Sequence, residues 1–596
     1  MKLHYIDITI IVIYLLSVVA IGFAIKRWAT QKLESYFLAN RSMPWWVLGL
    51  AGCSSYIDIG GTMAMVGLMF YTGFKSVWVT HLFWGWLIIC FYMAFQAKWI
   101  RRSGVMTFAE WNRTRFGEGP DAEAARIAAA IFLLILMVCN LAFIAVGIGK
   151  FAEEFLPLDR WASTLIVFAA AGFYVTLGGF FGVILTDMLQ TLLIAIGSVL
   201  LTILVFTTCD PVALVATRPA EWTSLTLTWN MWDGFVESAP TAYQHFEVLG
   251  PVLLAGSFWL IFRVAAGPNV WDFQFFLTAR SSRDAALAGG VWTVAYTMRW
   301  ILGAAFLILG LHYFGSQAGG DAEKIMPMVL NALPIGISGL FIAVLLAALM
   351  STLDAMINVT SSVVVNDFLK RYLAPARSER WLVRAGQLAS LAALGLGFAF
   401  SLLVENIIQI WETMVHVVVT MVLVPATMRW HWWRFGARAF VAGMIGSALM
   451  LGGRVLFFGN LPPHISLPID TLNCLVVTLI AGWLTRPTHT DVLVDFYARV
   501  KPFGFWAPIR REAVRRGRVA DNDREPMFDM LNGGLAVVLQ FSLALIPIFA
   551  LCRLWTGALI WVGIASGIGL VLYFTWYRNL PPWDEEQIAD RKAANA

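Results

Sequence analysis

Charge is scarce in this chain. Asp, Glu, Lys and Arg make up 13% of its 596 residues, against about 25% in a soluble domain. That scarcity excludes an ordinary soluble globular domain. Cysteine is also sparse: the six residues Cys53, Cys90, Cys139, Cys209, Cys474 and Cys552 are scattered and form no C-x-x-C pair. Neither a disulfide framework nor a cysteine metal site is indicated. No H-E-x-x-H segment or other clustered metal or nucleophile motif is present, so no enzymatic centre is expected and no cofactor is called for. The N-terminus has no basic n-region and no A-x-A cleavage site. Ile6 to Ile25 is therefore expected as a retained span rather than a signal peptide.

What is abundant is apolar sequence. Hydrophobic residues reach 59%, with 27 Trp and 42 Phe, and the expectation is a polytopic all-α membrane protein in a lipid bilayer. About fifteen apolar stretches are long enough to span. They fall near 6–25, 45–70, 76–97, 124–149, 160–178, 183–207, 250–276, 288–314, 335–365, 384–404, 406–427, 437–457, 468–485, 530–551 and 556–576. Alternate loops are basic: Lys26, Arg27, Lys32 and Arg41; then Lys98, Arg101, Arg102, Arg113 and Arg115; later Lys370, Arg371, Arg377 and Arg380. The intervening loops carry Glu153, Glu154, Asp159, Asp210 and Glu221. Lys and Arg favour the cytoplasmic side, so the N-terminus is expected outside and the C-terminus in the cytoplasm of a plasma (inner) membrane protein. The net charge of +5 is explained by these loops and does not indicate nucleic acid as a partner. The basic run Arg510, Arg511, Arg515, Arg516 and Arg518 is read first as positive-inside anchoring and second as contact with anionic headgroups.

Polar residues inside spans are costly and tend to be functional. Ser351 and Thr352 sit within the apolar run Ile335 to Val365, three and four residues after Ala348. On a helix these positions share one face. Two hydroxyls and a carbonyl there form an uncharged hard-oxygen cluster suited to a small monovalent cation. The same residues serve equally as helix glue. In the second span, Cys53 to Gly61 interrupts the apolar pattern. Gly60-Gly61 weakens the helix, and a break there frees carbonyls upstream, with Ser54 and Ile57 three apart. Close packing of small residues is the alternative. The stretch Tyr174 to Gln190 reads as a glycine turn between two spans, with Asp187 at the mouth of the next helix as a cap or a cation-passage group. Asp354 lies about one turn beyond the Ser351–Thr352 pair.

Four segments together are similar to the sodium/solute symporter family. Ser35-Tyr36-Phe37-Leu38-Ala39-Asn40-Arg41-Ser42-Met43-Pro44-Trp45-Trp46 resembles the loop before its first core helix. Thr107-Phe108-Ala109-Glu110-Trp111 with Arg115-Phe116-Gly117 resembles its Pro-Glu-Phe…Arg-Phe-Gly segment without the proline. Gly178-Gly179 with Thr186-Asp187 and Gln190 resembles its signature, and Ala348-Leu349-Met350-Ser351-Thr352 its sodium helix. The resemblance implies a leucine-transporter-like core of two inverted five-helix repeats over 44–428. Around it lie an N-terminal helix and loop (1–43), peripheral helices (429–485), a basic segment (486–529), and two final helices with a tail (530–596).

The resemblance further implies a sodium ion held by the Ser54 and Ile57 carbonyls, the Ala348 carbonyl and the Ser351 and Thr352 hydroxyls. Asp187 is implied in sodium coupling, and Asp354 stands as an extra acid for a second cation or for pairing with a base. Among the first, second, sixth and tenth core helices, the residues left to face a solute are Asp58, Gly61, His81, Arg263, Trp411 and Glu412. Arg263 is open to ion pairing with Asp58 or Glu412, or to holding a substrate carboxylate. Sodium-coupled uptake of a sugar or other small organic solute is the expectation. A proton-coupled symporter is the nearer rival, and a transporter-like sensor module the more distant one.

Overall fold

The computed structural model describes residues 4–29, 32–155, 159–269, 271–315, 324–403, 414, 418, 422–459 and 461–582. Among these residues the protein is helical, with only two isolated bridges, Met43 to Ala279 and Trp432 to Phe505. Lipid offers no hydrogen-bond partner to a backbone, so an apolar chain of this kind satisfies its peptide groups within helices.

The main helices are α1 (Tyr5–Ala29), α2 (Trp45–Ser54), α3 (Ile59–Thr72), α4 (Pro120–Phe155), α5 (Arg160–Thr208), α6 (Leu249–Ala265), α7 (Ser282–Ala295), α8 (Thr297–Phe314), α9 (Ile337–Val363), α10 (Glu379–Ser401), α11 (Ala437–Phe458), α12 (Pro463–Leu484), α13 (Glu525–Leu551) and α14 (Trp555–Thr575). Ten helices among the described residues are long and apolar enough to span, or eleven if the bent pair Trp45–Ser54 and Ile59–Phe83 counts as one. The difference from about fifteen has identifiable sources. The stretches 160–178 and 183–207 are two segments of α5, joined at Gly179, the one residue out of helical conformation (φ 51°). A side chain at Gly179 would stand 2.7 Å from the Tyr36 carbonyl, and the glycine turn expected between two spans is a one-residue kink within a continuous helix. The 250–276 stretch keeps only the 17-residue α6. The 76–97 stretch is a chain of short helical pieces with wide turns at Val79–Phe83 and Tyr92–Gln96. Most of 406–427 lies outside the described residues.

Burial sorts the helices. The most apolar stretch of the α9 span is 94% buried within the protein, whereas that of the α14 span is 11% buried. α9 is thus the central post of the bundle and α14 a lipid-facing helix. α1 packs along α5 and α9. Its Asp7 accepts hydrogen bonds from the Gly336 and Gly339 N–H groups, both at 2.8 Å, capping the start of α9.

Candidate functional site: a helix break facing an unbroken helix

α2 ends at Ser54 and α3 begins at Ile59, with a bend of 66° across the break. Asp58 starts α3: its carboxylate accepts from the Gly61 N–H at 2.6 Å, a strong N-cap. The glycines therefore lie in the first turn of α3 rather than at the break. Gly61 has a different use. A Cβ there would come within 2.4 Å of Arg299 Nη2 and 2.7 Å of Asp58 Oδ1, so only glycine lets this ion pair close over the helix.

On one side, the break meets α9. Ser54 Oγ and Ser351 Oγ are 2.6 Å apart, and Ser54 Oγ also donates to the Ala51 carbonyl at 2.7 Å. Thr352 Oγ1 lies 2.9 Å from the Ser55 carbonyl and 3.2 Å from the Ala348 carbonyl. Ser54, Ser351 and Ala348 are fully buried and Thr352 is 9% exposed. The structure thus brings Ser54, Ala348, Ser351 and Thr352 into one set of uncharged oxygens. Ile57 is buried too, and its N–H donates to the Ser54 carbonyl at 3.0 Å. The carbonyl that reaches Thr352 belongs to Ser55, which no sequence spacing distinguished from its neighbour Ser54.

Behind this set lies a second buried cluster. Asp187 sits inside α5, eight residues past the Gly179 kink, and among the described residues neither of its carboxylate oxygens has a hydrogen-bond partner, so it caps no helix there. The Ser351 hydroxyl and the Asp354 carboxylate are near enough to act on it. Asp354 accepts from the Tyr174 hydroxyl at 2.6 Å. Gln190 Nε2 donates to the Tyr14 hydroxyl at 3.1 Å, and Tyr14 lies 3.7 Å from Met350 Sδ. Among the described residues neither acid is ion-paired to a base.

On the other side of the break the neighbours are charged, and Asp58, Gly61 and Trp86 are each partly exposed. Asp58 Oδ1 pairs with Arg299 Nη1 at 3.3 Å, and Nη1 also donates to the Tyr56 carbonyl. The guanidinium lies over the Trp86 ring, 4.0 Å from its centroid. Arg299 is buried, yet among the described residues its Nε and Nη2 have no hydrogen-bond partner. Arg299 was not among the residues singled out from sequence. The available signal was one base inside an apolar run, a pattern that marks function in a membrane. Arg263 does not meet Asp58. It donates to Asn269 Oδ1, and Asn269 donates to the Tyr56 hydroxyl. The Tyr56 and Tyr92 hydroxyls both donate to Asp272 Oδ2 at 2.5 Å. His81 is fully buried, stacked between Trp300 (5.2 Å) and Phe541 (4.4 Å), with Nδ1 2.8 Å from the Val77 carbonyl. It belongs to the buried aromatic packing rather than to the Asp58–Arg299 pair. Trp411 and Glu412 lie outside the described residues.

A family model described as "Sodium:solute symporter family" matches residues 36–446. The chain is 27% identical over 431 residues to sodium/glucose cotransporter 4 of Danio rerio, covering 66% of this chain and 62% of that one. It is 24% identical over 437 residues to the sodium/glucose cotransporter of Vibrio parahaemolyticus, covering 68% and 78% respectively. The chain thus spans somewhat under two thirds of the zebrafish relative's length. Among solved structures, a sodium-coupled sialic acid symporter in a substrate-bound outward-open state superposes with a TM-score of 0.64 at 18% identity, over 82% of this chain and 99% of that one. That likeness establishes the fold: a leucine-transporter-like core. With the broken α2–α3 pair set against α9, and the family match running through both, this multi-pass membrane protein is a member of the sodium:solute symporter family.

Proposed function

We propose that the protein takes up a small organic solute, most simply a sugar, coupled to inward movement of sodium by alternating access. The observation that carries this reading is the meeting of Ser54 and Ser55 at a helix break with Ser351 and Thr352 on α9. A broken helix leaves carbonyls without helical partners, and such ends in membranes suit small cations. The hydroxyls now bonded to one another and to carbonyls turn their lone pairs to an entering ion. Being neutral, they hold it weakly enough to release it. Asp187 and Asp354, beside Ser351, favour a cation along the same route inward. In this reading the N-terminus is outside and the C-terminus cytoplasmic in a plasma membrane.

The solute binds at Asp58, Gly61 and Arg299. A carboxylate and a guanidinium with free donors engage neighbouring hydroxyls, and the partly exposed Trp86 gives a sugar ring aromatic surface. Moving one cation inward across 100 mV releases about 2.3 kcal/mol, and a tenfold sodium gradient about 1.4. Together, about 3.7 kcal/mol sustains a solute ratio of roughly 500. The relatives' printed names, sodium/glucose cotransporters, make D-glucose the first probe. Reconstituted protein is expected to take it up with an inward sodium gradient, and to stop when choline replaces sodium at fixed pH. Uptake that persists in choline and follows an imposed proton gradient would transfer the coupling to the acids.

A further inference from the structure

The chain opposite Arg299, residues 84–87, is the one non-helical stretch between the wide turn Val79–Phe83 and the short helix Ile88–Phe91. Gly85 turns it with a φ of +75°, where a side chain would meet Trp259 at 2.8 Å. A carbonyl in such a stretch has lost its helical donor and needs another. The Trp86 carbonyl finds it in α13, a helix beyond the family match: Gln540 Nε2 donates to it at 2.9 Å, and Gln540 is 2% exposed. The ring of the same Trp86 carries the Arg299 guanidinium. The next residue of α13, Phe541, stacks on His81, which stacks on Trp300, the neighbour of Arg299.

The register of α13 is set elsewhere. Asp529 bonds Lys98 at 2.5 Å, and Gly533 packs on Phe91, where a Cβ would lie 3.2 Å from the ring. Asp529, Gly533 and Gln540 are spaced i, i+4 and i+11 and share one face. The helix is thus fastened along residues 86–98, with its amide delivered to the Trp86 carbonyl.

We propose that Gln540 is a positioning residue for solute binding: from outside the family core it holds Trp86, and through the Trp86 ring it orients the Arg299 guanidinium toward the solute. The inference rests on the reading of the Asp58–Arg299 pair as the solute site.

Gln540→Met keeps the length and removes the donor. In reconstituted protein, this variant is expected to raise the KM for D-glucose about fivefold. Maximal rate, protein amount and the sodium concentration for half-maximal uptake should not change. A purely structural role would instead lower the amount or the maximal rate at unchanged KM, and that result overturns the proposal. Hydrogen exchange on purified protein without solute supplies a second measurement. Faster exchange in both 84–88 and 296–300 supports the coupling, whereas a change confined to 538–542 overturns it. If the unaltered protein takes up no D-glucose, the sugar reading fails, and the exchange pattern alone decides the role of Gln540.

Discussion

Ser54 and Asp58 are four positions apart, and the two face different chemistry. At the end of α2 the neighbours are hydroxyls and carbonyls without charge. At the start of α3 they are a carboxylate, a guanidinium and an indole. One break serves both because a helix has unlike ends. The C-terminal end presents carbonyls and partial negative charge, and the N-terminal end presents N–H groups and partial positive charge. A weakly held cation suits the first end. The second welcomes the Asp58 carboxylate as its cap, and Asp58 in turn holds Arg299. In the proposed function, that contrast gives the cation and the solute separate sets of ligands on either side of one break.

Three variants test that separation. The largest effect is expected from Asp58→Asn. Asn caps a helix about as well as Asp, so the change leaves α3 in place and strips Arg299 of its counter-charge. Removing one partner of a buried ion pair costs about 3–5 kcal/mol. D-glucose uptake should fall by at least about 100-fold, while sodium still raises the melting temperature of the purified protein. If the sodium effect disappears as well, the two halves are not separable. Next comes the double change Ser351→Ala with Thr352→Ala. Losing two oxygens on the cation should raise the sodium needed for half-maximal uptake about tenfold, leaving solute affinity at saturating sodium unchanged. A shift in the KM for solute of the same size would blur the comparison from the other side. The smallest effect is expected from Tyr174→Phe, which removes the hydroxyl from Asp354. Denaturant titration should show about 1–3 kcal/mol of lost stability, with a sodium dependence less altered than in the Ser351–Thr352 variant.

Much of the arrangement proposed for the cation was legible from local pattern. Ala348, Ser351 and Thr352 share a face by helical arithmetic alone, and α9 is helical throughout that stretch. The break in the second span was legible as an interrupted apolar run, but its location was not. Gly60-Gly61 drew attention as weak helix formers, whereas the capping carboxylate of Asp58 starts the helix before them. Likewise Asp187, expected at a helix mouth, stands within α5 because Gly179 alone makes the turn. On the solute side, sequence picked out Asp58 and Gly61 and passed over Arg299, Trp86 and Gln540. Trp86 and Gln540 are unremarkable in their own segments and Arg299 stood out only as a base in an apolar run; the proposed role of each comes from what another segment places beside it.

Sequence by itself settled the quantities that depend on neighbours along the chain: apolar spans, loop charge, which side chains share a helix face, and the family pattern. Tertiary structure alone decided the partners: Ser54 with Ser351, 297 residues away, and Trp86 with Gln540, 454 residues away. The physical reason is range. Helical periodicity and capping act over a few residues, while a buried charge or an orphaned carbonyl must be satisfied by whatever the packing brings near, and packing across the bundle leaves no periodic trace in either segment.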